Sequence, residues 1–272
     1  MIITLIFLKI TFLAAIQIGN DIQFNIEIIR YNPCPYIEGY SKWNRSLEFE
    51  SSDGKKSPYL NAQPGKSGCY VISGRTKVFR EFRANFSVYV ELRTSASRQK
   101  PAEPCINQQP NGCGGLGSCL YCNTCNDSDS TISVKAELLN NGKKLNCKSR
   151  LSPGTYNNIQ LKFCLPGIDE ILKAQGLSRE SFLSLMKAED EDFMRKFGIF
   201  ITVYIFDTDV SKLMQAQSRI IEAYEDRNKA LFKNEQLSSQ LYWSLPFNSM
   251  IRNEKLYSAC HIIHCNVNVI TQ

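Results

Sequence analysis

The sequence predicts a mainly β protein: a disulfide-stapled β-sandwich with an inserted helix and a helical C-terminal extension. Three observations predict it. Short runs of alternating or wholly apolar residues recur between Gly, Pro and Asn. Eleven cysteines lie within 272 residues, clustered beside Gly, Asn and Pro rather than within apolar runs. The chain opens on a short apolar stretch of the kind that directs secretion.

That stretch, "IITLIFLKITFLAAI" at 2–16, falls short of the roughly 20 residues a membrane-spanning helix needs. It fits the apolar core of a signal peptide, although Lys9 lies inside it and no basic residue precedes it. Small residues Ala15 and Gly19 place removal within 15–20, and retention as an uncleaved anchor is the alternative. The expected organisation is a signal peptide over 1–19, a β-sandwich domain over 20–207, and a helical extension with a final short strand over 208–272. The triplets beginning at Asn44, Asn85 and Asn126 are glycosylation acceptors and agree with a secreted protein, extracellular or in the endolysosomal lumen. In such an oxidising compartment Cys34, Cys69, Cys105, Cys113, Cys119, Cys122, Cys125, Cys147, Cys164, Cys260 and Cys265 are disulfide candidates. Their odd number reads as five bridges and one spare thiol.

The strands follow from period-two patterning. In "FSVYVEL", 86–92, Phe86, Val88, Val90 and Leu92 share one face, and Ser87, Tyr89 and Glu91 the other. In "GIFITVYIF", 198–206, Ile199, Ile201, Val203 and Ile205 share a face, while Phe200, Tyr204 and Phe206 occupy the other with Thr202. A strand apolar on both faces is buried on both or borders a cavity. Further strands are expected over 22–29, 46–50, 68–72, 131–138 and 158–163. A helix is expected over 177–197, with Ser178 as N-cap and Phe182, Met186, Phe193 and Met194 as its apolar stripe. Helical spacing returns after Asp209 through Val210, Leu213, Ile220, Ile221 and Tyr224, over about 209–235. "ACHIIHCNVNVI", 259–270, reads as one more strand.

The segment "GCGGLGSCLYCNTC", 112–125, admits three chemistries that spacing can test. Gly112, Gly114 and Gly117 match a dinucleotide fingerprint, but "QQPN" before them is no strand and the cysteines after them open no helix. Cys119, Cys122 and Cys125 match the start of an iron–sulfur run, but Asp129 stands where its fourth cysteine belongs. Zinc needs a second ligand pair, and no second CxxC follows. A local disulfide knot at one end of the sandwich remains, its glycines supplying tight turns.

The two histidines lie in "CHIIHC", 260–265. In an extended segment Cys260 and His264 share one face, and His261 and Cys265 the other, so one tetrahedral ion cannot collect all four. The expectation is no metal, no cofactor, and two disulfide cysteines flanking part-exposed histidines. No G-x-S-x-G, H-E-x-x-H or Walker loop occurs in the sequence, and the chain reads as non-enzymatic. The net charge of +6 is dispersed without a basic block interleaved with aromatics, which argues against nucleic acid.

The order of these features is similar to that of a known family. After "VYVELRT" come Pro104-Cys105, a loop, and Gly117-Ser118-Cys119 with further cysteines. "SPGTYNNIQLKFCLP", 152–166, leads by Pro-Gly-x-Tyr into a strand, and "FGIFITVYIFD", 197–207, supplies a late strand. Over about 22–207 the chain resembles the MD-2-related lipid-recognition family, most closely its ganglioside-activator branch. The resemblance implies a secreted sandwich whose two sheets splay apart around acyl chains. The cavity lining would then be Phe86, Val88, Val90, Leu92, Leu161, Phe163, Ile199, Ile201, Val203 and Ile205. The partner would be a lipid or glycolipid, with the membrane surface as a further contact. The extra cysteines within 113–125, the inserted helix and the residues after 207 depart from the family's pattern. The competing expectation is an extracellular protein–protein module with a closed core.

Overall fold

The computed structural model describes residues 14–18, 22–50, 59–63, 66, 68–94, 102–103, 105, 109, 112–122, 124, 134–164, 169, 172–173, 176, 178, 180–181, 194–208, 210 and 255–271. The protein is mainly β, with 54% strand against 4% helix. Its strands are β1 (Ala14–Ile18), β2 (Ile22–Pro33), β3 (Leu47–Glu50), β4 (Tyr59–Ala62), β5 (Cys69–Ser73), β6 (Arg75–Val78), β7 (Phe82–Arg83) and β8 (Ser87–Arg93). They continue with β9 (Leu120–Tyr121), β10 (Lys135–Asn140), β11 (Lys143–Lys144), β12 (Arg150–Leu151), β13 (Gly154–Tyr156), β14 (Ile159–Cys164), β15 (Met194–Phe206) and β16 (Ala259–Thr271). Every sequence-predicted strand is present within a few residues of its expected bounds.

All the pairings between these strands are antiparallel. The largest sheet has six strands in the order β1-β2-β16-β15-β8-β9, of which β1 lies within the stretch expected to be a signal peptide, and a second has five in the order β11-β10-β14-β5-β4. A three-stranded sheet, β13-β6-β3, and the pair β12-β7 complete the framework. One apolar cluster draws on all four. It joins Val88, Ile205 and Ile263 of the six-stranded sheet to Ile72, Leu138 and Leu161 of the five-stranded one, with Leu47 and Phe49 of β3 and Phe82 of β7. Thr76, fully buried on β6, donates its hydroxyl to the Ile159 carbonyl at 3.0 Å and so ties the three-stranded sheet to β14.

Two corrections concern the C-terminal half. The strand at 259–271 is no short appendix. It is thirteen residues long and lies in the middle of the largest sheet, paired with β2 on one side and β15 on the other. The domain therefore needs residues from both ends of the chain, and a helical extension after 207 is not supported. The expected helix over 209–235 lies outside the described residues except for Val210, which is buried. Of the expected helix over 177–197, residues 182–193, with Phe182, Met186 and Phe193 of its stripe, lie outside the described residues, and 194–197 are strand. Met194, Arg195, Lys196 and Phe197 already pair with Ile270, Val269, Asn268 and Val267, because the long partner strand extends the ladder. At its other end Ser178 caps as expected, its Oγ accepting the Ser181 N–H at 3.0 Å.

A bulge shapes β2. Along β16 the partners of His264 and Cys265 are Arg30 and Ile28, so Ile29 has no partner in the ladder and stands 47% exposed. The extra residue resets the alternation. Ile28 and Tyr31, three residues apart, both reach the main apolar cluster, which strict period-two alternation would forbid.

Four disulfides join cysteines that both lie among the described residues. Cys34–Cys260 links the end of β2 to β16, and Cys69–Cys164 joins directly opposed residues of β5 and β14. Cys105–Cys119 and Cys113–Cys122 close the glycine-rich loop, and Cys147 is disulfide-bonded as well. The segment at 112–122 is therefore a knot, as its spacing indicates, and it lies against the β8–β9 edge. Ser118 Oγ accepts the Leu92 N–H at 2.9 Å, and the Gly114 N–H reaches the Leu120 carbonyl at 2.7 Å. Gly114 and Gly115 have φ of +73° and +101°, a region closed to most side chains. Cys125 lies outside the described residues.

Candidate functional site

Along β8, β15 and β14 the side chains facing the main apolar cluster pass from buried to partly buried, whereas on β16 Ile263 and Cys265, opposite Ile201 and Ile199, stay buried. The ladder between β8 and β15 shows the gradient rung by rung. Val88 and Ile205 are opposed and both buried; Val90 and Val203 are opposed and only partly buried; Leu92 and Ile201 are opposed and again partly buried. On β15 the described residues from Gly198 to Tyr204 are all partly buried, and burial is complete only at Ile205 and Phe206. Beside the closed end pack Phe49, Phe82, Phe86 and Ile159, none more than 1% exposed. On the five-stranded sheet the same gradient runs along β14, where Ile159 and Leu161 are buried and Phe163 is not.

The sequence-predicted lining residues divide along this gradient. Phe86, Val88, Leu161 and Ile205 belong to the buried part of the cluster. Val90, Phe163, Ile201 and Val203 pack against it while partly exposed, joined by Ile28 and Leu60, which the sequence reading missed. Leu92 and Ile199 are partly buried and lie opposite Ile201 and Cys265. Leu60 escaped notice because "YLNA" is short and carries one large aliphatic residue. Ile28 was hidden by the bulge, which breaks the periodicity used to assign faces.

The opposite face of the six-stranded sheet has its own cover. Tyr89, Leu120, Phe206, Val210 and Cys260 form a second cluster with Trp43 and Tyr257. Trp43 meets Tyr257 at 5.0 Å and Tyr36 at 5.1 Å between ring centroids. The even-numbered apolar residues of β15 thus find partners at one end of the strand, which explains why "GIFITVYIF" is apolar on both faces. At the other end Phe200 stacks on His264, 4.3 Å between centroids.

The interior also holds polar groups. His261, Ile263 and Cys265 share the inner face of β16, and all three are buried. This corrects the expectation of part-exposed histidines: His264 fits it, whereas His261 is 1% exposed. Its ring stacks on Tyr31 and tilts against Phe49, with centroids 5.6 Å away in each case. Neither of its nitrogens has a hydrogen-bond partner among the described residues. Burial pushes the imidazole down to about 4. Cys265, one of the disulfide candidates, is instead a free thiol, the spare that the odd count requires. Its partners in register are Ile199 and Ile28, with no cysteine opposite. Burial raises the thiol to about 11, which keeps it protonated and unreactive at neutral pH. Tyr70, on the facing five-stranded sheet, is pushed up to about 12 by burial first and by the nearby Cys265 second.

The "CHIIHC" segment divides as its alternation requires. Cys260 is consumed by its bridge to Cys34, His261 and Cys265 point inward, and His264 stacks on the outer face. Of the glycosylation acceptors, Asn44 is exposed, Asn85 is partly buried with its Oδ1 enclosed, and Asn126 lies outside the described residues. Compared with known proteins, the chain matches no family model and no curated protein.

Proposed function

We propose that the protein is a secreted, non-enzymatic lipid-binding protein, a β-sandwich of the lipid-recognition type that holds acyl chains between its six-stranded and five-stranded sheets. The observation that carries this reading is the burial gradient. Val90, Ile201, Val203 and Phe163 face the interior yet keep solvent access, while the rungs beyond them close over Phe86 and Ile205. Side chains at the centre of a close-packed interior have few gaps beside them. An aliphatic chain laid along them would complete the burial, gaining about 0.8 kcal/mol per CH2 removed from water. A sixteen-carbon chain would gain about 10 kcal/mol before the cost of ordering it. No reactive group is needed for this. The disulfides support secretion, because bridges of this density persist in oxidising compartments.

Transfer of a fluorescent acyl lipid or glycolipid between vesicles tests the proposal. Transfer that scales with protein concentration supports it; no transfer with any lipid class contradicts it. A protein–protein module is the second reading, and a specific surface favours it. Ile37 and Tyr40 are 61% and 83% exposed on a turn braced by the Ile37 carbonyl, which accepts the Tyr40 and Ser41 N–H groups at 3.1 and 2.8 Å. If Ile37→Ser with Tyr40→Ser abolishes partner capture while lipid transfer is absent, the second reading stands.

A further inference from the structure

We propose that His261 makes the interior acid-labile: its imidazole is sealed between Tyr31 and Phe49 with no hydrogen-bond partner among the described residues, so acidification favours opening of the junction between β2, β3 and β16. The geometry carries this inference. The ring is enclosed between Tyr31 of β2 and Phe49 of β3, and on its own strand it is flanked within the same face by Ala259 and Ile263. Across the ladders it stands opposite Val203 and Pro33. A charged imidazolium there would have two N–H donors and no acceptor among the described residues.

The titratable neighbours leave this intact. Tyr31 is raised far above its usual range by burial first and by Glu48 second, so it stays neutral. Cys265, four residues along the same face, and Tyr70 across from it are likewise held neutral. Glu48 lies on β3 beside Phe49 and pairs with Arg45. Burial raises its carboxyl despite that cation, so its protonation favours the folded state as pH falls, opposite in sign to His261. Glu50, also on β3, pairs with Arg75 and Lys77, and among the described residues no acid hydrogen-bonds His261.

The sign follows from linkage. A group at about 4 when folded and near 6.5 when unfolded binds more protons in the unfolded chain. Its contribution is fully present above 6.5 and is lost as pH falls from 6.5 toward 4. Between pH 7.5 and pH 5.0 the unfolding constant should rise about 30-fold on this account alone. In a lipid carrier the same opening would release cargo in acid, a consequence that rests on the lipid reading; the loss of packing does not.

Urea unfolding of the disulfide-intact, lipid-free protein at pH 7.5 and 5.0 is the test. Between pH 7.5 and 5.0 the unfolding constants of the wild-type chain and of His264→Gln should each rise about 30-fold more than that of His261→Phe. An equal pH dependence in His261→Phe would overturn the inference. If that variant does not fold, the imidazole is followed in the wild-type protein by nuclear magnetic resonance. It should remain neutral down to pH 5 in the folded state, and titration near 6.5 there would overturn the inference equally. Acid loss in a protein that binds no lipid under any condition would keep this inference and remove the lipid reading.

Discussion

Val90 of β8 stands directly opposite Val203 of β15, and both remain partly open to solvent although both pack against the main apolar cluster. Two positions along, past the Tyr89–Tyr204 pair on the other face, Val88 and Ile205 are sealed. The step from full to partial burial therefore falls between successive same-face pairs of one ladder.

Truncation on either side of that step should separate full from partial burial. Ile205→Ala removes a side chain that is 1% exposed and should cost about 2–5 kcal/mol by denaturant unfolding. Val203→Ala, already solvated in part, should cost less than about 1 kcal/mol. Equal costs would mean that the interior is packed uniformly.

The bridge between β5 and β14 joins residues 95 positions apart in sequence. Replacing Cys69 and Cys164 together by Ser should lower stability by about 2–5 kcal/mol, mainly by freeing the unfolded chain. A midpoint unchanged by the double substitution would show that the ladder between these strands holds without its staple.

Glu137 on β10 provides a second pH-dependent element. Burial alone would raise its carboxyl, but hydrogen bonds from Lys144 and Lys162, at 3.1 and 3.2 Å, hold it below its ordinary value. A lowered folded value stabilises the protein above about 4.5, and the gain is lost as pH falls through the folded value. Because the pair is partly exposed, Glu137→Gln should cost only about 0.5–1 kcal/mol at pH 7. The difference between variant and wild type should vanish once pH has fallen through the folded value, and a difference that persists in strong acid would assign the cost to packing.

Asn44 should carry a glycan when the chain is made in a glycosylating secretory host. The side chain is exposed, and Arg80 Nη1 donates to Asn44 Oδ1 at 2.8 Å, which leaves the amide nitrogen for the sugar. Asn44→Gln should remove one glycosidase-sensitive shift in mass. No change in mass would place the chain elsewhere or the acceptor out of use.

Much of the strand set was legible because it depends on local alternation. "FSVYVEL" became β8 with Val88 inside and Tyr89 outside, as its period requires. β6 was not legible: Arg75 and Lys77 turn outward to Glu50, and only Thr76 and Val78 point inward, too few to register as a pattern. Sheet order was not legible either. "ACHIIHCNVNVI" reads locally as a strand, but its place between β2 and β15 depends on pairings with residues more than two hundred positions away. The knot around Cys113 and Cys119 could be foreseen from close spacing, whereas the Cys34–Cys260 bridge could not. Of the candidate interior, the inward faces of β8 and β15 were read correctly. The burial of His261 was not, since its neutrality depends on Tyr31 and Phe49 from distant strands.

The most direct measurement is native mass spectrometry of the protein purified from a secretory host, followed by identification of whatever dissociates from it. A lipid-sized adduct carrying at least one long acyl chain is expected. Val203→Trp, which adds bulk beside the partly buried side chains of β8 and β15, should lose that adduct. A wild-type protein that stays free of adduct, including after incubation with mixed-lipid vesicles, would contradict the lipid reading.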